Sequence, residues 1–315
     1  MKIFVAGSTG RVGEKLLTEL TATGHEVLAG ARQPEKVKNP KVSPIKFDLT
    51  MTIDEMATII AGVGVVMDVA GSSGGSLLQI DLFGATNLMQ AAEKAVSMIR
   101  GGSADFLMKG GIQTSDLLKE VVNKERGLNR GRVMSHLGMF EIPGYHKLLA
   151  LTDGGMVTRP DVNEKAQILM NAVETLHNLG YENPKVAVLA AAETVNPKIP
   201  ESVDGDLLKK MNASGGLTGC IVEGPISYDL MISHEAAKIK GYESPVTGDT
   251  DILLMPDMTS GNLLAKAFQF TAGAMMAGMI VGAGAPIVLV SRGATAMEKY
   301  LSLVLSAASA KKHKA

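Results

Sequence analysis

Three turns rich in glycine and aspartate punctuate residues 224–292, each beside an apolar run: GPISYDL from Gly224, GDTDILLMPDMTSGN from Gly248 and APIVLVSRG from Ala285. Turns of this kind sit at the carboxyl ends of strands, where open α/β sheets bind ligands. From residue 102 onward, short apolar runs alternate with amphipathic stretches, which predicts parallel sheets covered by helices. The predicted strands cover 106–108, 147–151, 186–190, 219–222, 252–255 and 286–290. The predicted helices cover 116–123, 164–179, 207–211, 233–240, 262–276 and 296–308.

A chain of 315 residues is long enough for two cored domains. Its 31 basic and 32 acidic residues leave a formal charge of −1, so no global field draws it to nucleic acid or an anionic membrane. The absence of tryptophan and an aromatic content of 4% argue against platforms for stacking single-stranded bases. The basic cluster Lys311-Lys312-His313-Lys314 reads as a solvated tail. A single cysteine, Cys220, excludes an intramolecular disulfide and fits a reducing, cytoplasmic setting; it reads as a buried small hydrophobe at the start of a strand. The four apolar residues after Lys2 are too few for a secretory core. Residues 267–291 hold no charge, a length that could span a bilayer. Gly273, Gly278, Gly282, Gly284 and Pro286 cut that stretch, so it reads as a buried helix followed by a buried strand over 287–290, with no membrane span. No His or Cys spacing marks a metal site, and no G-x-S-x-G elbow marks a serine hydrolase.

The first 95 residues have a character of their own. Lys2 to Ala6 reads as a buried strand, GSTGRVG follows at once, and Glu14 to Thr21 is helix-forming. Gly7, Gly10 and Gly13 therefore stand in the strand–turn–helix context of a dinucleotide fingerprint, where a pyrophosphate meets a helix N-terminus. A second strand, Glu26 to Ala31, ends in Arg32, a cation suited to the 2′-phosphate of NADP where a carboxylate would suit NAD. Asp48 closes a third strand, and Val65 to Ala70 makes a fourth, running into Gly71-Ser72-Ser73-Gly74-Gly75. A helix is predicted over 82–100. On Gly7, Gly10, Gly13, Arg32, Asp48, the fourth turn and Asp81-Leu82-Phe83-Gly84, this segment resembles the NAD(P)-binding half of the atypical short-chain dehydrogenases/reductases. That family's helical Tyr-x-x-x-Lys has one match in spacing, Tyr181 to Lys185, with Pro184 inside it; it reads as a turn.

The helix around Ala91–Val96 continues as Gly101-Gly102-Ser103-Ala104-Asp105-Phe106-Leu107-Met108-Lys109-Gly110, matching G-x-A-D-φ-φ-M-K-G, where φ is apolar. With the three later turns, this run resembles the phosphate acetyl/butyryltransferase family, closest to its butyryltransferase branch, from about residue 91 to 309. Two family patterns thus join within one helix, with no linker of the usual Pro/Gly/polar kind. The chain looks like a hybrid of a Rossmann-like unit over 1–95 and a phosphotransacylase-like region over 96–315, whose strand 286–290 returns to the first domain. The resemblance implies a three-layer α/β/α fold with parallel sheets, of the two-domain isocitrate-dehydrogenase-like type.

It also implies a reaction, acyl-CoA plus phosphate giving acyl phosphate plus CoA, and a homodimer. Phosphate must be aimed at a thioester carbonyl and the developing charges stabilised, work suited to arginine and backbone N–H donors. Ser291-Arg292-Gly293 occupies the family's Ser-Arg position, so Arg292 is expected to hold phosphate or the carbonyl oxygen and Ser291 to bond the same group. Ala294 stands where the family keeps a carboxylate. By the same resemblance, Glu298 lies near the place where the acetyltransferases keep an acidic residue expected to assist the CoA thiol. Lys109 ends a strand and faces phosphate in this reading, or is a surface lysine. Ser135-His136 and Thr152-Asp153 follow the S-H and L-T-D motifs, with His136 and Asp153 as site candidates. Glu193, Asn196, Pro197 and Lys198 match E-x-x-N-P-K, and Gly224-Pro225 with Asp229 matches G-P-x-x-x-D. Asp251, Pro256, Gly261 and Asn262 match a later turn, in which Asn262 is expected to open a helix and cap it or help bind an anion. The sequence leaves three readings: a short-chain acyltransferase such as a butyryltransferase, an NADP-binding reductase-like protein, and a folded hybrid that catalyses nothing.

Overall fold

The computed structural model describes residues 2–48, 51–63, 65–68, 84–109, 112–290 and 293–310. In chain order it opens with β1 (Lys2–Ala6), α1 (Arg11–Ala22), β2 (Glu26–Ala31), β3 (Ser43–Lys46), α2 (Ile53–Ile59), β4 (Val65–Asp68), α3 (Gly84–Arg100), β5 (Leu107–Met108) and α4 (Thr114–Val122). It continues with β6 (Ser135–Glu141), β7 (Leu149–Thr152), α5 (Val162–Asn178), β8 (Lys185–Leu189), α6 (Pro200–Ala213), β9 (Ile221–Ile226), α7 (Tyr228–Ile232) and α8 (His234–Lys240). The last elements are β10 (Ile252–Leu254), α9 (Met258–Phe270), β11 (Met275–Val281), β12 (Ile287–Val288) and α10 (Ala296–Ser309). The chain divides into two compact units, one of Met1–Arg130 with Ala283–Ala315 and one of Gly131–Gly282.

In the first unit, strands run in the order β3-β2-β1-β4, all parallel. The central strand β1 is buried along Ile3 to Ala6, as expected of a parallel strand covered on both faces. Leu16, Leu17 and Leu20 give α1 the one-sided apolar stripe that packs on the sheet. Strand β5 comes close to β4 and pairs in parallel with β12, with Val288 opposite Met108. Ile3, Val5, Leu16, Leu20 and Val27 from the front of the chain share one core with Phe106, Val288 and Leu303. The opening βα units and the closing β12 and α10 therefore have no separate interiors.

In the second unit the order is β11-β6-β7-β10-β8-β9. Strands β7, β10, β8 and β9 are parallel, whereas β6 is antiparallel to both β7 and β11. Phe140, Leu149, Leu151, Ala187, Leu253 and Phe268 lie in its main core.

Three expectations need correction. Residues 262–276 were expected as one helix, yet α9 ends at Phe270 and Met275–Val281 is a strand registered against Ser135–Glu141. An uninterrupted apolar run suits a buried helix or a buried strand equally, and here the free edge of β6, against which Met275–Val281 pairs, decides. Asn262 was expected at a helix start, but α9 begins at Met258, where Asp257 accepts from the Ser260 amide as the true cap. The strand expected from Lys147 begins two residues later, at Leu149, because Lys147 is drawn into ion pairs before the strand starts.

Candidate active site

The first unit holds most of the candidates. Gly7 follows β1 directly with φ of +75°, a conformation that favours glycine, and its carbonyl accepts from the Gly10 amide at 3.0 Å. Gly13 lies under that turn: a Cβ there would stand 2.3 Å from the Gly7 oxygen. The turn therefore brings α1 hard against the strand end, with Gly10 preceding its first residue. Arg32 follows β2 directly and is exposed, and Asp48 follows β3 by two residues. Gly7 and Arg32 thus leave the carboxyl ends of neighbouring parallel strands.

Lys109 follows β5, and its amide donates to the Val288 carbonyl at 3.0 Å. The β5–β12 pair is parallel, so Lys109 and the residues after Val288 run off the same strand end. Ser291 and Arg292 lie outside the described residues, two and three positions beyond Leu289, as do Gly110, the glycine run 71–75, Asp81 and the basic tail. Glu298 is the third residue of α10 and completes a capping box: its carboxylate accepts the Thr295 amide at 2.6 Å while its own amide donates to the Thr295 hydroxyl.

In the second unit, Asp153 follows β7 and is 3% exposed. Its carboxylate accepts from the amides of His136 (3.0 Å), Gly155 (2.9 Å), Met156 (3.1 Å) and Val157 (2.8 Å). That set ties the loop after β7 to the start of β6, and the Thr152 hydroxyl adds a bond to the His136 carbonyl. Three of these bonds share one oxygen, so Asp153 fastens the loop after β7. His136 sits within this frame. Its Nδ1 is buried and has no partner among the described residues. Burial pushes its pKa down, with Asp153 opposing, so the ring is neutral at pH 7. The Asn262 amide reaches the Gly154 carbonyl at 3.4 Å from within α9.

Sequence reasoning missed the glycines that frame His136. A Cβ on Gly278 would come within 3.0 Å of the His136 Nε2, and one on Gly155 within 3.3 Å of its Cβ. Gly278 lies in the middle of an apolar strand, the pattern that signals close approach by a neighbour. It also missed Asn171 on α5, whose amide bonds the Val133 carbonyl (2.8 Å) and the Ser135 hydroxyl (3.1 Å).

The remaining motifs fold turns. Glu193 accepts from Ser227 and Lys240, Lys240 also pairs with Asp229, and the Asn196 side chain bonds the Lys198 amide. Tyr181 lies beyond α5, and Lys185 opens β8 with its ammonium on Asp249, so the pair shares no helical face. Burial raises the Tyr181 pKa, opposite to what a proton relay needs. Cys220 is buried and unpaired, its pKa pushed up by burial to about 11, in keeping with a packing role. Among the described residues no His, Cys, Asp or Glu group has the makings of a metal site, and no helix is long and apolar enough to cross a membrane.

Residues 84–307 match the phosphate acetyl/butaryl transferase family. The chain belongs to that family. As a phosphotransacylase family member it is 39% identical over 242 residues to the phosphate butyryltransferase of Clostridium acetobutylicum, covering 77% of this chain and 80% of the relative. It is 42% identical over 218 residues to the phosphate acetyltransferase of Thermotoga maritima, covering 69% and 74%. A branched-chain phosphotransacylase from Enterococcus faecalis aligns over 100% of both chains with a TM-score of 0.74 and 28% identity. The EutD phosphotransacetylase of Staphylococcus aureus, at 17% identity and a TM-score of 0.63 over 98% of this chain and 93% of its own, shares the fold. Residues 7–100 separately match an NAD(P)H-binding family. The two matched regions overlap over 84–100, the full length of α3, so this family member is a hybrid joined within one helix.

Proposed function

We propose that the chain is an acyltransferase that moves a short acyl group, such as butyryl, between CoA and inorganic phosphate. The observation that carries this reading is the parallel β5–β12 pair, from whose carboxyl end both Lys109 and the segment entering Ser291-Arg292 depart. Strand ends of this kind are where α/β sheets hold anions. In the forward reaction a phosphate oxygen attacks the thioester carbonyl, a C–O bond forms, the C–S bond breaks and CoA leaves as its thiolate. The Arg292 guanidinium would hold phosphate by paired N–H donors, with Lys109 a second cation and the Ser291 hydroxyl donating to the same group. The likeness to the butyryl- and acetyltransferases above supports both the reaction and the short acyl group. The test is release of free thiol from butyryl-CoA in phosphate. Arg292→Ala should lower kcat/KM about a hundredfold or more while the unfolding midpoint stays put; an unchanged rate would sink the assignment.

A second reading is favoured by the glycine turn. The residues fit an NADP-type dinucleotide: Gly7, Gly10 and Gly13 shape the turn for a pyrophosphate, Arg32 suits a 2′-phosphate, and Asp48 closes the neighbouring strand. When bound, such a cofactor would supply hydride, but the residues that relay a proton in reductases have no counterpart on one helical face here. We therefore take residues 1–95 as a dinucleotide-binding unit and 96–315 as the transferase region, in a cytoplasmic protein that pairs with a second copy of itself. Titration of NADPH fluorescence tests the first point. Arg32→Ala should weaken NADPH about tenfold and leave NADH nearly unchanged; equal losses would refute the phosphate role.

A further inference from the structure

The outward face of α9 is apolar and exposed. Its inward face is accounted for: Phe268 is buried, and Leu264 and Ala265 pack on the main core of the second unit. On the opposite side Leu263 is 65% and Phe270 82% exposed, with the exposed Ala267 between them. Their spacing of four and three residues sets the three in one stripe about 10 Å long. Lys266 carries the one charge of α9; it stands at the edge of the stripe, its ammonium 5.7 Å from the centre of the Phe270 ring. The exposed Thr271, Ala272, Gly273 and Met275 continue the uncharged surface past the end of the helix. A helix that is apolar all round belongs in an interior, and an apolar stripe left at a surface is a mark of protein contact.

We propose that this face is where the protein pairs with a second copy of itself, α9 crossing its twin antiparallel about a two-fold axis next to Ala267; the inference rests on the self-pairing stated above and gives it a place. The stripe is complementary to itself. A two-fold axis through its middle sets Leu263 of one copy against Phe270 of the other, and conversely, while Ala267 faces Ala267. The bulky pairs flank a crossing at which small side chains let the helix axes approach to about 8–10 Å. A two-fold axis also brings like groups together, so a charge in the middle of the stripe would face itself, and none is there. A foreign protein would require neither property. An interface of standard size takes about 800 Å² from each partner. The stripe supplies its centre, with Phe270 as the aromatic anchor, and residues 271–275 extend it.

Sedimentation velocity on the full chain tests this, and the unaltered protein should sediment as a dimer at micromolar concentration. Ala267→Glu and Ala267→Lys alter an exposed helix position that either side chain suits. Each should raise the dimer dissociation constant about a hundredfold or more, because the crossing then holds two like charges. Mixed in equal amounts, the two variants should pair again, since their new charges are opposite. Far-UV circular dichroism of both should match that of the unaltered protein. Should either fail to fold, Phe270→Ser decides, with an expected loss of about thirtyfold or more. A monomeric unaltered protein overturns both the self-pairing and its place. A dimer that persists in both charge variants, or that mixing fails to restore, overturns the place alone and leaves the self-pairing standing. An unchanged dissociation constant for Phe270→Ser does the same. No outcome depends on acyl transfer or on NADPH.

Discussion

A carboxylate that accepts four amide protons is replaceable only by another carboxylate. Asp153 puts one oxygen on the amides of His136, Gly155 and Met156 and the other on Val157. Asparagine has the same shape, but whichever way its side chain turns, an NH₂ group faces an N–H. At least one buried amide then loses its acceptor, at about 1–3 kcal/mol. Asp153→Asn should therefore lower the urea midpoint by a corresponding amount, and the His136 ring resonances should shift with it. An unchanged midpoint would mean that the loop finds other acceptors. From sequence, the L-T-D motif marked Asp153 as a site residue without showing the loop it fastens. That loop is held through four backbone groups whose directions no residue letter records.

At the scale of elements, the amino ends of β7, β8 and β10 are joined by charge. Asp249, ahead of β10, binds Lys147 ahead of β7 at 2.7 Å, Lys185 at the start of β8, and His146 at 3.0 Å. Asp251 adds a bond to Lys147 at 2.7 Å and accepts the Lys185 amide at 2.8 Å. Burial works against the Asp249 charge, but the bonds from Lys147, Lys185 and His146 outweigh it and hold its pKa well below the usual 3.8. A depressed folded-state value gives stability that is complete above the unfolded pKa and is lost as pH falls below it. Urea midpoints should therefore hold from pH 7 to about 4 and drop below it, and Asp249→Asn should start lower at pH 7 and show a shallower acid limb. Parallel acid limbs in the two proteins would refute the assignment. The carboxylate is about one-third exposed, so solvent tempers the effect, and salt should reduce it further.

At the scale of the molecule, the front of the chain and its end share one interior. Leu303 of α10 is 4% exposed and packs in the core that contains Ile3, Val5 and Leu16. Leu303→Ala should cost about 2–5 kcal/mol. Because the core is shared, hydrogen exchange should quicken in β1, α1 and β2 as well as in α10. Faster exchange confined to α10 would show that the front segment folds by itself. This shared core also explains how a join inside α3 can be accommodated: βα units from a second family need only present an apolar sheet face of similar size to β12 and α10.

The sequence by itself determined the elements whose signals are local. Four buried apolar residues, a glycine turn and leucines at helical spacing specify β1, α1 and β2 to within a few residues. A Thr–Glu capping box specifies the start of α10 at Ala296. Tertiary structure alone decided β6 and β11, since an apolar run becomes strand or helix according to which unpaired amides lie beside it, and here those amides are about 140 residues away in the chain. It also decided that Asn262 lies inside a helix and that Gly278 stands against His136. Local chemistry can select a backbone conformation, but only the assembled chain supplies the neighbour that a glycine must let pass.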